Sequence, residues 1–258
     1  MQIREDRWLT TIFEYPVFSI HSEQMPERAA ETSRPHEVIK DHAGGRTSAM
    51  YYAKVDANRI ELVRDLSLAG LYVVDVNVTF KIDTGALWVG EGVATKKYEI
   101  REIVPADYEE TLEIAASCFR YSRFHLDPLV PIAIANRIKR EWIKNYINRS
   151  RGERLFVAMA EDHPVGFLAV INVETEGARV CVIDLIGVAP RYQGKGVGAA
   201  LTAFFVRHYR EKFGSLQVGT QVANTPSVRL YQKLGFFISK AQYVMHGHFG
   251  VHRTAFDR

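Results

Sequence analysis

The run Val188-Ala-Pro-Arg-Tyr-Gln193-Gly-Lys-Gly-Val-Gly198 constrains this chain more than any other. An apolar, strand-like stretch, Arg179 to Val188, precedes it, and an amphipathic helical stretch, Gly198 to Phe213, follows. The run must therefore turn a strand into a helix. Gly194, Gly196 and Gly198 free the backbone for a tight turn, and Pro190 fixes the approach. A helix opening from such a turn presents unbonded amides and the positive end of its dipole. That geometry cradles a pyrophosphate, and Lys195 or Arg191 can add a cation. It is not a P-loop, since no Lys-Ser or Lys-Thr follows the glycines. From Gly194 it meets the dinucleotide fingerprint only if one glycine is forgiven, since position 199 is Ala, and no βαβ unit with an acidic ribose partner ~20 residues on is evident. Alone, the run is equally a structural turn.

A second motif lies downstream, Asn224-Thr-Pro-Ser227-Val-Arg-Leu-Tyr231-Gln-Lys-Leu-Gly235-Phe236. Around the two, periodicity predicts strands at Glu99 to Ile103, Arg154 to Ala160, Val165 to Val173, Arg179 to Val188, Ser215 to Thr220 and Phe236 to His248. Helices are expected from Pro105 to about Phe119, over Ile132 to Asn148 (Ile134, Ile138, Trp142 and Tyr146 on one side), over Gly198 to Phe213 and over Pro226 to Leu234. Earlier in the chain, Ser48 to Val55 and Leu71 to Phe80 read as strands and Ala57 to Leu68 as a helix with Ile60, Val63 and Leu66 apolar. Glu23 to Thr47 and Asp83 to Lys97 read as loop and linker. The fold expected is α/β, a mixed, mostly antiparallel sheet with flanking helices over 98–258, preceded by a smaller α/β unit over 1–97. Lys54 to Val74 and Gln221 to Ser239 share one order of features, strand–Asn–helix–Gly–strand. The first unit is then a reduced copy of the second, or the two βαβ pieces are alike by chance.

With 258 residues, 47% hydrophobic and 24% charged, the chain is long enough to bury a core unaided. Its 33 basic and 30 acidic residues leave a net charge of +3 with no basic tail, which argues against a nucleic-acid partner. No apolar run approaches the ~20 residues that span a bilayer, and the charged N-terminus is no signal peptide. Cys118 and Cys181 make no disulfide framework, so a cytoplasmic location is expected. Cys118 reads as a small core residue. His246, His248 and His252 lack a ligand set at tight spacing; they read as strand-edge or interface residues, and no metal is expected.

Together the two motifs resemble the GCN5-related N-acetyltransferase superfamily, over roughly Tyr98 to His248. Its pattern of Gln or Arg, two residues, Gly, one residue, Gly or Ala is met by Gln193, Gly196 and Gly198. Its late Asn, Tyr and Gly-Phe are met by Asn224, Tyr231, Gly235 and Phe236, and Ile100-Arg-Glu-Ile-Val-Pro-Ala-Asp107 is similar to its opening strand and helix cap. The resemblance implies acetyl-CoA or another short-chain acyl-CoA as co-substrate. Its pyrophosphate would bind the amides of Gln193, Gly194, Lys195, Gly196, Val197 and Gly198. Its pantetheine arm would lie along Asp184, Leu185, Ile186, Gly187 and Val188, where that strand splays from Ser215 to Thr220, with Asn224 and Ser227 at the mouth of the next helix. Tyr231 would be the general acid that protonates the departing thiolate; otherwise it is a core aromatic.

An amine can attack the thioester directly once neutral, an amide can hold the oxyanion, and a phenol can protonate sulfur late in the step. Asp184, on the central strand, and His125 are the candidate bases; Asp184 is otherwise a capping or supporting carboxylate. The smaller leading unit resembles the sugar-nucleotide N-acetyltransferases, the dTDP-fucosamine acetyltransferase group above all. That implies a nucleotide-linked amino sugar as acceptor, a homodimer, and a sugar pocket lined by Phe124, His125 and Asp127. The alternatives are another amine (a protein N-terminus, a polyamine, an antibiotic) or a non-catalytic module that binds acyl-CoA.

Overall fold

The computed structural model describes residues 1–21, 34–85, 97–175 and 177–250. The smaller unit comprises β1 (Gln2–Glu5), α1 (Arg7–Phe13), β2 (Val17–His21), α2 (Pro35–Ala43), β3 (Ala49–Asp56), α3 (Ile60–Leu68) and β4 (Tyr72–Asp83). There follow β5 (Glu99–Glu102), α4 (Tyr108–Ser117), the one-turn α5 (Arg123–Leu126), α6 (Ile132–Ile147), β6 (Arg154–Ala160), β7 (His163–Thr175), β8 (Ala178–Val188), α7 (Val197–Tyr209), β9 (Ser215–Gln221), α8 (Thr225–Lys233) and β10 (Phe237–Phe249). Every expected strand and helix is present, some shifted by a few residues at their ends. The first 21 residues add two strands and a helix, α1, which Asp6 caps by accepting from the Leu9 amide at 3.0 Å. Within the expected loop Glu23 to Thr47, residues 22–33 lie outside the described residues, and the rest holds α2. Pro35 opens that helix, and Ile39 and Ala43, four apart, bury its inner face. Residues 86–96 of the expected linker also lie outside.

The ten strands of the described residues form one sheet, in the order β1-β2-β3-β10-β4-β9-β8-β7-β6-β5. Among the described residues only β2–β3 and β8–β9 pair in parallel. The strands of the two units interleave across the division expected at 97/98. β10 of the larger unit lies between β3 and β4, and β4 of the smaller lies between β10 and β9. The order β3-β10-β4-β9 is reversed when each strand is exchanged for its counterpart, β3 for β9 and β4 for β10, as a two-fold relation would have it. α3 and α8 end alike too. Each closes on a glycine of positive φ, Gly70 at 100° and Gly235 at 85°, and the next amide reaches back five residues, Leu71 to Leu66 O and Phe236 to Tyr231 O, both at 3.0 Å.

Both sheet faces are covered. Along β6, Phe156 and Ala158 join the core under α7 and α8, while Leu155, Val157 and Met159 join the core under α4 and α6, the period of two that a strand imposes. α6 turns Ala135, Ile138, Ile143 and Tyr146 inward, a face rotated slightly from the expected one, and Ile134 and Trp142 are half-buried. α3 turns Leu62 and Leu66, four apart on one face, inward and leaves Ile60 exposed. Among the described residues no helix is long and apolar enough to cross a membrane.

Candidate active site

β8 pairs with β7 along its length, but with β9 only at Cys181–Ile183 opposite Leu216–Val218. Beyond Ile183 the two strands part. β9 stays paired with β4 up to Gln221 opposite Asn77, so β8 from Leu185 to Gly187 has one edge with no neighbouring strand, while Val188 O at its end accepts from Gln193. A register shift sets Asp184 in a bulge, between Ile183 opposite Val170 and Leu185 opposite Ala169. A cavity of about 630 Å³ fills the parting, the size of a small-molecule site. Val78 and Phe80 of β4 point into the core under α7 and α8, so Asp75, Asn77 and Thr79 face the α6 side. The cavity touches these three and also Tyr231 of α8. It thus passes through the sheet from one face to the other.

The glycine turn stands at one end of this cavity. Gly194 has φ 75° and Gly196, which caps α7, has φ 92°. A Cβ at either would meet open space, so backbone conformation, not crowding, calls for glycine there. At Gly198 a Cβ would stand 3.5 Å from Leu230, in the packing between α7 and α8. The amides of Gln193 and Lys195 are turned inward, to Pro190 O and Tyr192 O, both at 3.3 Å. Among the described residues, no backbone carbonyl accepts from the amides of Gly194, Gly196, Val197 or Gly198. Four of the six expected amides are therefore open. Gln193 instead uses its side chain, donating to Cys118 O at 3.3 Å and Val188 O at 3.1 Å and pinning the turn to the end of β8.

Tyr231 is 2% exposed, between the rings of Phe80 and Phe236. Burial holds its phenol above the ordinary tyrosine range, in the protonated form. Asn224 caps α8, accepting from the Ser227 amide at 3.4 Å and donating to Thr220 Oγ1 at 3.4 Å. Asn224, Ser227 and Tyr231 all line the cavity. Cys118 lines it as well, its thiol pushed up to about 12 by burial and so not a thiolate.

The acceptor-side expectations divide. Phe124 lines the cavity; His125 and Asp127 do not. His125 is held by Ser122 Oγ at 2.6 Å and Asn136 Oδ1 at 3.0 Å, both ring nitrogens engaged. Asp127 is buried and accepts from Tyr72 at 2.6 Å, the Leu129 amide at 2.9 Å, His246 at 2.6 Å and His248 at 2.9 Å. The two histidines are thus interior, on a strand paired on both sides, not at an edge as expected; their alternation on β10 turns both towards one carboxylate. These three side chains bring ligand-type atoms within 4.8 Å of one another, so a carboxylate does accompany the histidines, brought from a segment more than a hundred residues earlier that sequence spacing could not reveal. His252 lies outside the described residues. Asp184 does line the cavity, yet it accepts from Trp142 Nε1 at 2.8 Å, Tyr146 at 2.7 Å and Arg151 at 2.7 and 2.8 Å. Although burial raises its proton affinity, Arg151 and these donors bring it below the ordinary carboxylate range. That suits a group that holds the bulge more than one that takes a proton.

The sequence reading missed Lys54, Asp75, Asn77, Arg120 and Lys139, all of which line the cavity. Lys54 opens onto it while surrounded by protein, and burial brings its ammonium down to about 8. Lys139 lies over Phe119 and Trp142, at 4.9 and 5.0 Å, and is likewise lowered to about 8 by burial. A signal was present: Asp75, Asn77 and Thr79 put polar residues at every second position of a Val-rich strand.

An open helix mouth beside two parting parallel strands defines an α/β protein of the N-acetyltransferase fold. Residues 108–236, half of the chain, match the acetyltransferase (GNAT) family. The chain belongs to this family. The spore coat polysaccharide biosynthesis protein SpsD of Bacillus subtilis (strain 168) is 30% identical over 150 residues, 58% of this chain and 50% of that protein. The match thus spans about half the length of this relative. Among solved structures, a GCN5-related N-acetyltransferase from Kribbella flavida has a TM-score of 0.58 at 15% identity, over 90% of this chain and 81% of that one. A tandem GNAT protein from the clavulanic acid biosynthesis pathway has 0.55 at 12%, over 92% and 76%.

Proposed function

We propose that this protein transfers an acyl group, acetyl or somewhat larger, from acyl-CoA to the amino group of a nucleotide-linked amino sugar, of the dTDP-linked amino-dideoxy class. One observation carries the reading: a single cavity joins Gln193 and Gly198 of the glycine turn, the edge of β8 that has parted from β9, Tyr231 and a basic, aromatic far end. The pyrophosphate of the donor fits the amides of Gly194, Gly196, Val197 and Gly198. The pantetheine arm pairs with the open edge from Leu185 to Gly187, and an amide of that edge holds the oxyanion. The amine attacks the thioester carbon, the C–N bond forms, and the C–S bond breaks with its electron pair on sulfur. Tyr231, kept protonated by burial, gives the sulfur its proton.

The acceptor end is lined by Lys54, Arg120, Arg123 and Lys139 against Asp75 and Asp184. This net positive charge, beside Phe119, Tyr121, Phe124 and Trp142, suits an anionic nucleotide sugar over a polyamine or aminoglycoside. The name of the Bacillus relative, in polysaccharide biosynthesis, agrees with it. Lys54, Asp75 and Asn77 make the smaller unit a wall of the acceptor site. The test is thiol release over a panel of acyl-CoAs with dTDP-amino sugars, polyamines, aminoglycosides and peptide N-termini. The nucleotide sugars should be preferred; faster turnover of a polycation, or no release with any pair, overturns the assignment. We also propose a homodimer, which sedimentation would reveal as a species of twice the chain mass.

A further inference from the structure

An amine is protonated at neutral pH and must lose a proton before it can attack. Two carboxylates line the cavity among the described residues, and Asp184 is committed to four hydrogen bonds. The other, Asp75, is 6% exposed, and neither of its oxygens makes a hydrogen bond within 3.5 Å, although the Val76 amide and the Gln221 side chain lie close enough to favour its charged form. A buried carboxylate left unpaired is costly and calls for an explanation. On the sheet Asp75 stands opposite Val244 of β10, which stands opposite Lys54 of β3. Lys54 is thus two strand spacings away, about 10 Å between backbones, and makes no ion pair with it within 4.0 Å. Just beyond Asp75 on the other side, β9 has ended at Gln221, so the carboxylate sits where the parted sheet opens.

We propose that Asp75 receives the acceptor's ammonium group and takes its proton, directly or through one water. The inference rests on the acyl-transfer reading above. The ammonium gives one proton to the carboxylate, and the neutral amine forms the C–N bond as the C–S pair leaves with sulfur. Sulfur takes the phenolic proton of Tyr231; the second proton leaving nitrogen restores the phenol, and Asp75 passes its own to solvent. Burial pushes the Asp75 carboxyl up to about 6, tempered by the nearby Val76 amide, Lys54 and the Gln221 side chain. It is then ionised at pH 7 yet basic enough to compete for a proton. The other charges facing the cavity are Arg120, Arg123, Lys139 and the Arg151-paired Asp184, and Lys240 on β10 is engaged with Asp56 at 3.0 Å.

The test compares wild type with Asp75→Asn and Asp75→Glu, using acceptors of different amine basicity. Asp75→Asn should lower kcat/KM between about 100- and 10,000-fold, with acyl-CoA affinity within about twofold of wild type and partial recovery in Asp75→Glu. In wild type, log kcat/KM should rise through a midpoint near 6 that stays put as acceptor basicity changes, and Asp75→Asn should lose that limb. Where Asp75→Asn does not fold, the fixed midpoint in wild type decides: its absence overturns the proposal. Wild-type release with an unimpaired Asp75→Asn overturns this proposal alone. No thiol release by wild type with any amine overturns the acyl-transfer reading, and this one with it.

Discussion

At the scale of single residues, the site depends on a few atoms whose surroundings leave them one task. Tyr231→Phe removes one oxygen from a ring that keeps its packing against Phe80 and Phe236. It should cut kcat about 100-fold or more while acyl-CoA affinity by calorimetry stays unchanged; unaltered turnover would remove the acid role. Gly187→Ala should destabilise the fold by about 1–3 kcal/mol in urea titration, because its Cβ would stand 2.5 Å from the Phe167 ring and 2.8 Å from Cys118 Sγ. The glycine turn, Asn224 and Tyr231 were legible in the sequence because local spacing determines them. His125 and Asp127 were misplaced because spacing cannot say which side of a one-turn helix meets a cavity. Asp75 was passed over because the alternation it shares with Asn77 and Thr79 cannot say whether that polar face meets solvent or a pocket.

At the scale of elements, each helix near the cavity is anchored by its ends. Asn224→Ala removes the cap of α8 and should cost about 1 kcal/mol. Because Tyr231 rides on that helix, the variant should also lose turnover beyond what its lower Tm accounts for. Gly196→Glu places a side chain in a left-handed cap and an acid beside the open amides, so acyl-CoA binding should vanish in calorimetry while the far-UV spectrum persists. β6, α6 and the β9–α8–β10 run were legible because long periodic segments declare themselves. The first strands and α1 were not, since short pieces of mixed polarity carry little period.

At the scale of the whole molecule, the order of strands was hidden, because pairing between distant segments leaves no local mark. The cluster around Asp127 ties Tyr72 of β4 and both histidines of β10 to the loop after α5. Burial lowers His246 to about 4, against the upward pull of Asp127. In the unfolded chain a histidine takes its proton near 6.5. Between those values the unfolded state binds the extra proton, so stability falls as pH drops from about 6.5 towards 4. Urea midpoints at pH 7 and pH 5 should differ in that direction. Residues 98–258 expressed alone lack β4 between β9 and β10 and should be insoluble, and co-expression with 1–97 should rescue them; a soluble, monomeric larger unit would refute the dependence.

The interleaving bears on how the chain is made. β4 leaves the ribosome with both of its pairing edges bare, and its partners β9 and β10 are translated only near the end. Until then a long valine-rich segment waits uncovered, open to the same segment on a neighbouring nascent chain. Ribosomes stalled before β9 should therefore hold a chain that chaperones bind, whatever the strength of the finished sheet.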